Sequence, residues 1–138
     1  MKKILFLSAM ILAMAACASA ETAWKSISRE INCREFNNVA LDARDPSTIY
    51  IGTDNGAYKT DDGGANWRCI YKGWGERRVV RNIYLKDGTT YLCTERGLFT
   101  SKNGDKNWIP SHGIASSSRI FSVLVLDQDG PVVFIVTE

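Results

Sequence analysis

The sequence contains a single histidine, His112, in a Pro-Ser-His-Gly loop. A lone loop histidine reads as solvated, which leaves no basis for a His-centred triad. No G-x-S-x-G element is present either. Neither sign of charge dominates: 17 basic and 15 acidic residues leave a net charge of +2. No long run of one sign occurs, so nothing draws the chain to nucleic acid or to an anionic membrane. Cysteine is sparse, at positions 17, 33, 69 and 93. The spacings of 36 and 24 residues among the last three match no metal motif, and neither metal nor cofactor is expected. An oxidising compartment permits one disulfide among Cys33, Cys69 and Cys93 and leaves one thiol over. Cys69 and Cys93 lie in apolar contexts and read as buried free thiols. Beyond residue 20, helical periodicity of useful length is missing.

One apolar segment stands out, Ile4 to Ala16, behind Lys2 and Lys3 and ahead of Ala18-Ser19-Ala20. It is short of the roughly 20 residues that span a bilayer. A charged start, a short apolar core and small residues at the end describe a secretory signal peptide over residues 1–20. Two cleavage routes compete. The preferred one cuts after Ala20. The other uses Met14-Ala15-Ala16-Cys17, which is similar to a bacterial lipoprotein box; the signal then ends at residue 16, and Cys17 becomes a lipidated first residue. Either route places residues 21–138 outside the cytoplasm, in contact with a membrane only if Cys17 is lipidated.

What is abundant is repetition. Thr60-Asp61-Asp62-Gly63-Gly64-Ala65-Asn66-Trp67 is echoed by Ser101-Lys102-Asn103-Gly104-Asp105-Lys106-Asn107-Trp108. The two tryptophans are 41 residues apart, and Trp24 precedes Trp67 by 43. The flanking segments share the period. Thr48 to Thr53, Thr90 to Thr94 and Val132 to Thr137 are apolar, β-branched runs, and the first two continue through Asp54-Asn55-Gly56 and Glu95-Arg96-Gly97. Glycine in such turns takes positive φ at little cost. A further short run precedes each, at Val39-Ala40-Leu41, Ile83-Tyr84-Leu85 and Val123 to Leu126. Each unit therefore predicts four short strands, the fourth starting at the tryptophan. Four-stranded units of about 40–45 residues are the length of a propeller blade. The expected fold is all-β, an incomplete β-propeller of about three four-stranded antiparallel blades.

The first box resembles the Asp-box, or bacterial neuraminidase repeat, pattern S/T-x-D-x-G-x-T/N-W through Thr60, Asp62, Gly64, Asn66 and Trp67. The second matches through Ser101, Asn107 and Trp108, but Asn103 replaces the aspartate and Asp105 the glycine. Such boxes occur in sialidases, xyloglucan-cleaving hydrolases, sortilin-type receptors and photosystem II assembly factors. The resemblance implies a structural role for these residues, away from any active site. Physically, Asp62 suits a turn by accepting backbone N–H groups, and both tryptophans are expected to bury large surfaces. The alternate acidic positions of a calcium loop are lacking.

Catalytic residues are harder to find. Glu30, Glu35, Asp42, Asp45 and Glu76 sit on predicted loops or strand ends, and nothing selects a pair from them for glycoside hydrolysis. The Arg-Ile-Pro motif of sialidases is replaced by Arg119-Ile120-Phe121, in the wrong repeat. The binding candidates are Trp74, between two glycines beside Tyr71, with Arg77 and Arg78. Arg81 extends that basic cluster. The cluster suits a solvated loop and strand edge, or a glycan- or phosphate-binding patch. Two functions follow. The first is an exported, non-catalytic scaffold that binds a protein or a glycan. The second is a fragment of an exported sialidase-like or xyloglucanase-like hydrolase. Residues 21–138 hold about 2.8 repeats where a propeller closes with about 4–8. A truncated product, or self-association that closes the ring, is therefore expected.

Overall fold

The computed structural model describes residues 26–27, 29–73, 75, 78–102, 104, 106–127 and 131–138. The expected leader, Trp24, Trp74, Glu76, Arg77 and Asn103 lie outside these residues.

Among the described residues, ten strands form three antiparallel sheets. The first blade contains β1 (Phe36–Asp42), β2 (Asp45–Thr53), β3 (Gly56–Thr60) and β4 (Arg68–Tyr71), paired in that order. The second repeats the order with β5 (Val80–Lys86), β6 (Thr89–Thr94), β7 (Gly97–Ser101) and β8 (Ile109–Pro110). The third contributes β9 (Ile120–Asp127) and β10 (Pro131–Thr137). One 3-10 turn, Gly113–Ser116, precedes β9. The strands fall where the short apolar runs place them. β8 is reduced to two residues, and Pro110 lacks the N–H that a longer ladder needs. Proline is tolerated there because β8 is a sheet edge.

The threonines that mark the period have a structural use. Thr53 is buried; its hydroxyl donates to the Gly56 carbonyl at 2.9 Å and accepts the Asn55 N–H at 3.0 Å. Thr94 does the same with the Gly97 carbonyl at 2.7 Å and the Arg96 N–H at 3.0 Å. Each hydroxyl thus satisfies a tight turn whose strands are buried on both sides, where an unpaired backbone group is costly.

The core lies between blades rather than within one. Tyr50, Ala57 and Ile70 of the first blade cluster with Val80, Ile83 and Leu92 of the second. Cys93 and Leu98 of the second cluster with Ile120, Val123 and Val125 of the third. Leu92 and Cys93 are neighbours in β6, and strand alternation sends them to opposite faces and so to different cores. Full burial of Leu92 stabilises by about 2 kcal/mol. Polar ties reinforce the first junction. Asn38 Oδ1 accepts the Ile83 N–H at 3.0 Å, and Asn37 Nδ2 donates to the Val80 carbonyl at 3.0 Å.

The cysteines correct one expectation. All three described cysteines are free thiols. Cys93 is buried, which pushes its thiol up to about 12. Cys69 is exposed, contrary to its apolar sequence context; it lies in β4, the edge strand of its sheet.

Candidate functional site

The Thr60–Trp67 turn is organised by two side chains. The buried Thr60 hydroxyl donates to Asp62 Oδ1 at 2.6 Å and accepts the N–H groups of Asp62 at 3.2 Å and Gly64 at 3.1 Å. Asp62 accepts the Asn66 N–H at 2.9 Å and the Asn66 side-chain amide at 2.8 Å. Gly64 has a φ of 91°, and a Cβ there would come within 2.6 Å of the Ile27 Cβ. Only glycine combines that backbone with that approach. The Trp67 indole N–H then donates to the Ile27 carbonyl at 2.6 Å, across 40 residues. In the second turn, Ser101 Oγ donates to the Lys106 carbonyl at 2.5 Å, Asn107 is exposed with a φ of 56°, and the Trp108 indole N–H donates to the Ile70 carbonyl at 2.8 Å. Both tryptophans are half-buried, and each ties its turn to the segment that follows the preceding tryptophan.

Hydrogen bonds from Thr60 and from the Asn66 side chain and backbone hold the Asp62 carboxyl far below its ordinary value of 3.8. A carboxyl depressed in the folded state stabilises the fold above its unfolded pKa. That contribution falls as pH drops from about 4 toward the folded value. The Asp62→Asn variant should therefore lose less stability than wild type between pH 5 and pH 2, measured as urea midpoints across that range, roughly the span in which an aspartate titrates. Parallel pH profiles for the two proteins would contradict this role.

A recess with a volume of about 580 Å³ lies where the first blade meets the second. Its floor is aromatic. Tyr71 lies 5.2 Å from Phe99, ring centre to ring centre, with the planes tilted by 51°, and 6.1 Å from Trp108 at 83°. Ile70, Gly73, Pro110 and Ser116 complete the wall, and the exposed Lys72 and Arg96 stand on the rim. Among the described residues neither cation has a carboxylate partner. By contrast, Arg81 and Arg119 both pair with Glu95, the latter at 3.3 Å. Apolar volume with two exposed cations on its rim suits a ligand that carries an apolar group beside a negative one.

The sequence candidates are distributed differently. Arg78 is half-buried, donating through Nε to the Gly75 carbonyl at 2.7 Å and through Nη1 to Asn55 Oδ1 at 3.3 Å. It lines a separate open recess with Arg34, Asp54 and Asn55. Tyr71 and Lys72 come from the end of β4 and Arg96 and Phe99 from the start of β7, two segments that only the blade junction brings together, so the sequence did not point to them as a site. Among the described residues no group of three or more His, Cys, Asp or Glu side chains is placed to hold a metal.

Four-stranded antiparallel blades packed face to face define an all-β protein of the β-propeller type, with two full blades and two strands of a third described. Photosystem II assembly lipoprotein Ycf48 from Picosynechococcus sp. is 35% identical over 102 residues, covering 71% of this chain and 28% of that protein. The chain thus spans little more than a quarter of that relative's length. No family model matches the sequence, and no solved structure matches it.

Proposed function

We propose that this chain is an exported, non-catalytic propeller scaffold that holds a segment of a partner protein in the recess between its first two blades. The observation that carries the reading is the recess itself, an aromatic floor of Tyr71, Phe99 and Trp108 under Lys72 and Arg96, which have no carboxylate partner among the described residues. Its rings are half-buried and tilted against one another, so they offer a socket for an apolar side chain rather than a flat platform for a sugar ring. A carboxylate on the same segment would meet the rim cations. The likeness to an assembly lipoprotein supports a scaffold role and supports export, by a leader cut after Ala20 or by lipidation at Cys17. The Thr60–Trp67 and Ser101–Trp108 turns act as Asp boxes whose role is structural, fixing each blade to the segment before it.

The test uses a photoreactive residue at Ser116, in the wall of the recess, in cells that produce the protein. It should cross-link to one defined protein, and a Lys72→Glu/Arg96→Glu pair should reduce the yield about tenfold or more, as loss of two charge-assisted contacts implies. A probe at Arg44, in the turn between β1 and β2, should give no such product. Equal cross-linking at both positions, or survival of the product in the charge-reversed pair, would overturn the reading. Release of sugar from a polysaccharide by the purified chain would favour the hydrolase alternative instead.

A further inference from the structure

The junction of the first two blades holds a second recess, of about 310 Å³, at the end of the sheets opposite the first. The β1–β2 turn walls it on one side, and the β5–β6 turn with Lys102 and Gly104 on the other. Both blades that enclose it have all four strands, so it belongs to the junction itself. The buried Tyr50 and the half-buried Leu85 also line it. Gly104 shapes its inner end. At a φ of 67°, a Cβ there would stand 2.5 Å from the Tyr50 hydroxyl oxygen and 3.0 Å from Thr90 Oγ1. Only glycine lets the second turn lie this close to the two hydroxyls.

The recess is strongly polar, yet its charges are matched. Arg44 grips Asp42 side-on, through Nε at 3.2 Å and Nη2 at 3.0 Å. Lys59 pairs with Asp61 at 3.0 Å and stands 5.3 Å from the centre of the Tyr50 ring. Lys86 meets Asp127 at 2.8 Å and Asp87 at 3.6 Å. With the exposed Lys102, cations and carboxylates balance, so a free anion gains little net attraction here. What the pairs leave over is hydrogen-bonding capacity. The grip on Asp42 leaves Arg44 Nη1 to the recess, 3.3 Å from where a Cβ on Gly88 would stand. An ammonium offers three donors and a carboxylate about four acceptor sites, and one ion pair exhausts neither. Donors and acceptors therefore alternate around the space, beside the apolar side chain of Leu85.

We propose that this recess binds a short neutral saccharide, one or two rings long. Adjacent sugar hydroxyls donate to a carboxylate and accept from a cation at the same time, which is the alternation that Arg44, Lys59 and Asp87 present. Hydrogen bonds to charged partners are the strong ones, so a ligand without charge of its own gains from both signs. The C–H face of a ring has Leu85 to pack on. The volume lies at the lower end of the roughly 300–1,000 Å³ of small-molecule sites, which limits the ligand to one or two rings. The site stands apart from the aromatic recess and does not depend on what that one holds.

Titration of the purified, isotope-labelled chain with maltose, lactose or mannobiose at millimolar concentration, followed by amide NMR, tests the proposal. At least one of these sugars should shift the amides of Arg44, Gly88 and Gly104 saturably and leave those of Lys72 and Arg96 in place. Arg44→Ala changes an exposed side chain, so the variant should stay folded by circular dichroism and bind that sugar about tenfold more weakly. The Lys72→Glu/Arg96→Glu pair should bind it as wild type does, which separates failure here from failure of the partner-binding reading. No saturable shift at the three amides with any of the sugars would overturn the site. So would equal affinity in a folded Arg44→Ala variant, or a tighter response of the same amides to sodium phosphate, which would make this an anion site instead.

Discussion

Replacing Trp108 by alanine should destabilise the protein by about 3–5 kcal/mol, the cost typical of a large aromatic truncated in a packed site. Trp108 packs against the cluster shared by the first two blades and meets Tyr71 edge to face. Its indole also satisfies the Ile70 carbonyl from the preceding blade. The alanine variant loses the ring, the aromatic contact and the interblade hydrogen bond together. Trp108→Phe keeps most of the packing and forfeits the N–H donor, for a smaller loss of about 1–2 kcal/mol. Trp67→Ala should cost less than Trp108→Ala, because among the described residues Trp67 belongs to neither interblade cluster. Denaturant titration of the three variants checks the order. Equal midpoints for the two alanine variants would show that the junction does not depend on Trp108 as described.

The Gly56→Ala variant should lose about 3 kcal/mol or more. Gly56 closes the β2–β3 turn at a φ of 127°, a conformation that costs a residue with a Cβ about 1–3 kcal/mol. A Cβ there would also drive into the Tyr71 carbonyl oxygen on β4, and backbone cannot yield as a side chain end would. The strand that would have to move carries Ile70 and Tyr71, which serve both the first core and the floor of the recess. Gly63 offers the contrast. Its φ is 68° and nothing lies within 4 Å of its missing Cβ, so Gly63→Ala should cost only about 1 kcal/mol. Differential scanning calorimetry of the pair separates a backbone strain effect from a steric one. Similar melting temperatures would show that β4 is free to shift away from Gly56.

Much of the fold was legible because its signals are local. Apolar runs bounded by glycine turns place a strand within a few residues, and Asn55-Gly56 or Arg96-Gly97 specify their turns without reference to the rest of the chain. The interblade bonds were not legible in the same way. Trp67 and Trp108 read as buried aromatics, yet both are half-buried, with indole N–H groups bonded to carbonyls 40 and 38 residues away. Cys69 misled for a related reason: an apolar neighbourhood in sequence cannot tell an edge strand from a central one. The recess was hidden by its construction, since Tyr71 ends β4, Arg96 turns between β6 and β7, Phe99 sits in β7 and Ser116 ends the 3-10 turn. Arg78 stood out by proximity to other arginines, yet its hydrogen bonds to Gly75 and Asn55 give it a part in holding the loop on the blade.

The account rests on blades that pack through one repeated junction, and nuclear Overhauser contacts in the isotope-labelled chain test that most directly. The Tyr50 ring should show contacts to the methyl groups of Val80 and Ile83, and the Tyr91 ring to those of Val123 and Val125, with Leu92 and Cys93 reporting to opposite junctions. Observation of both sets would establish the stacked blades. Contacts from Leu92 and Cys93 to the same neighbours, or none between Tyr50 and Val80, would contradict the junction and with it the propeller-type arrangement.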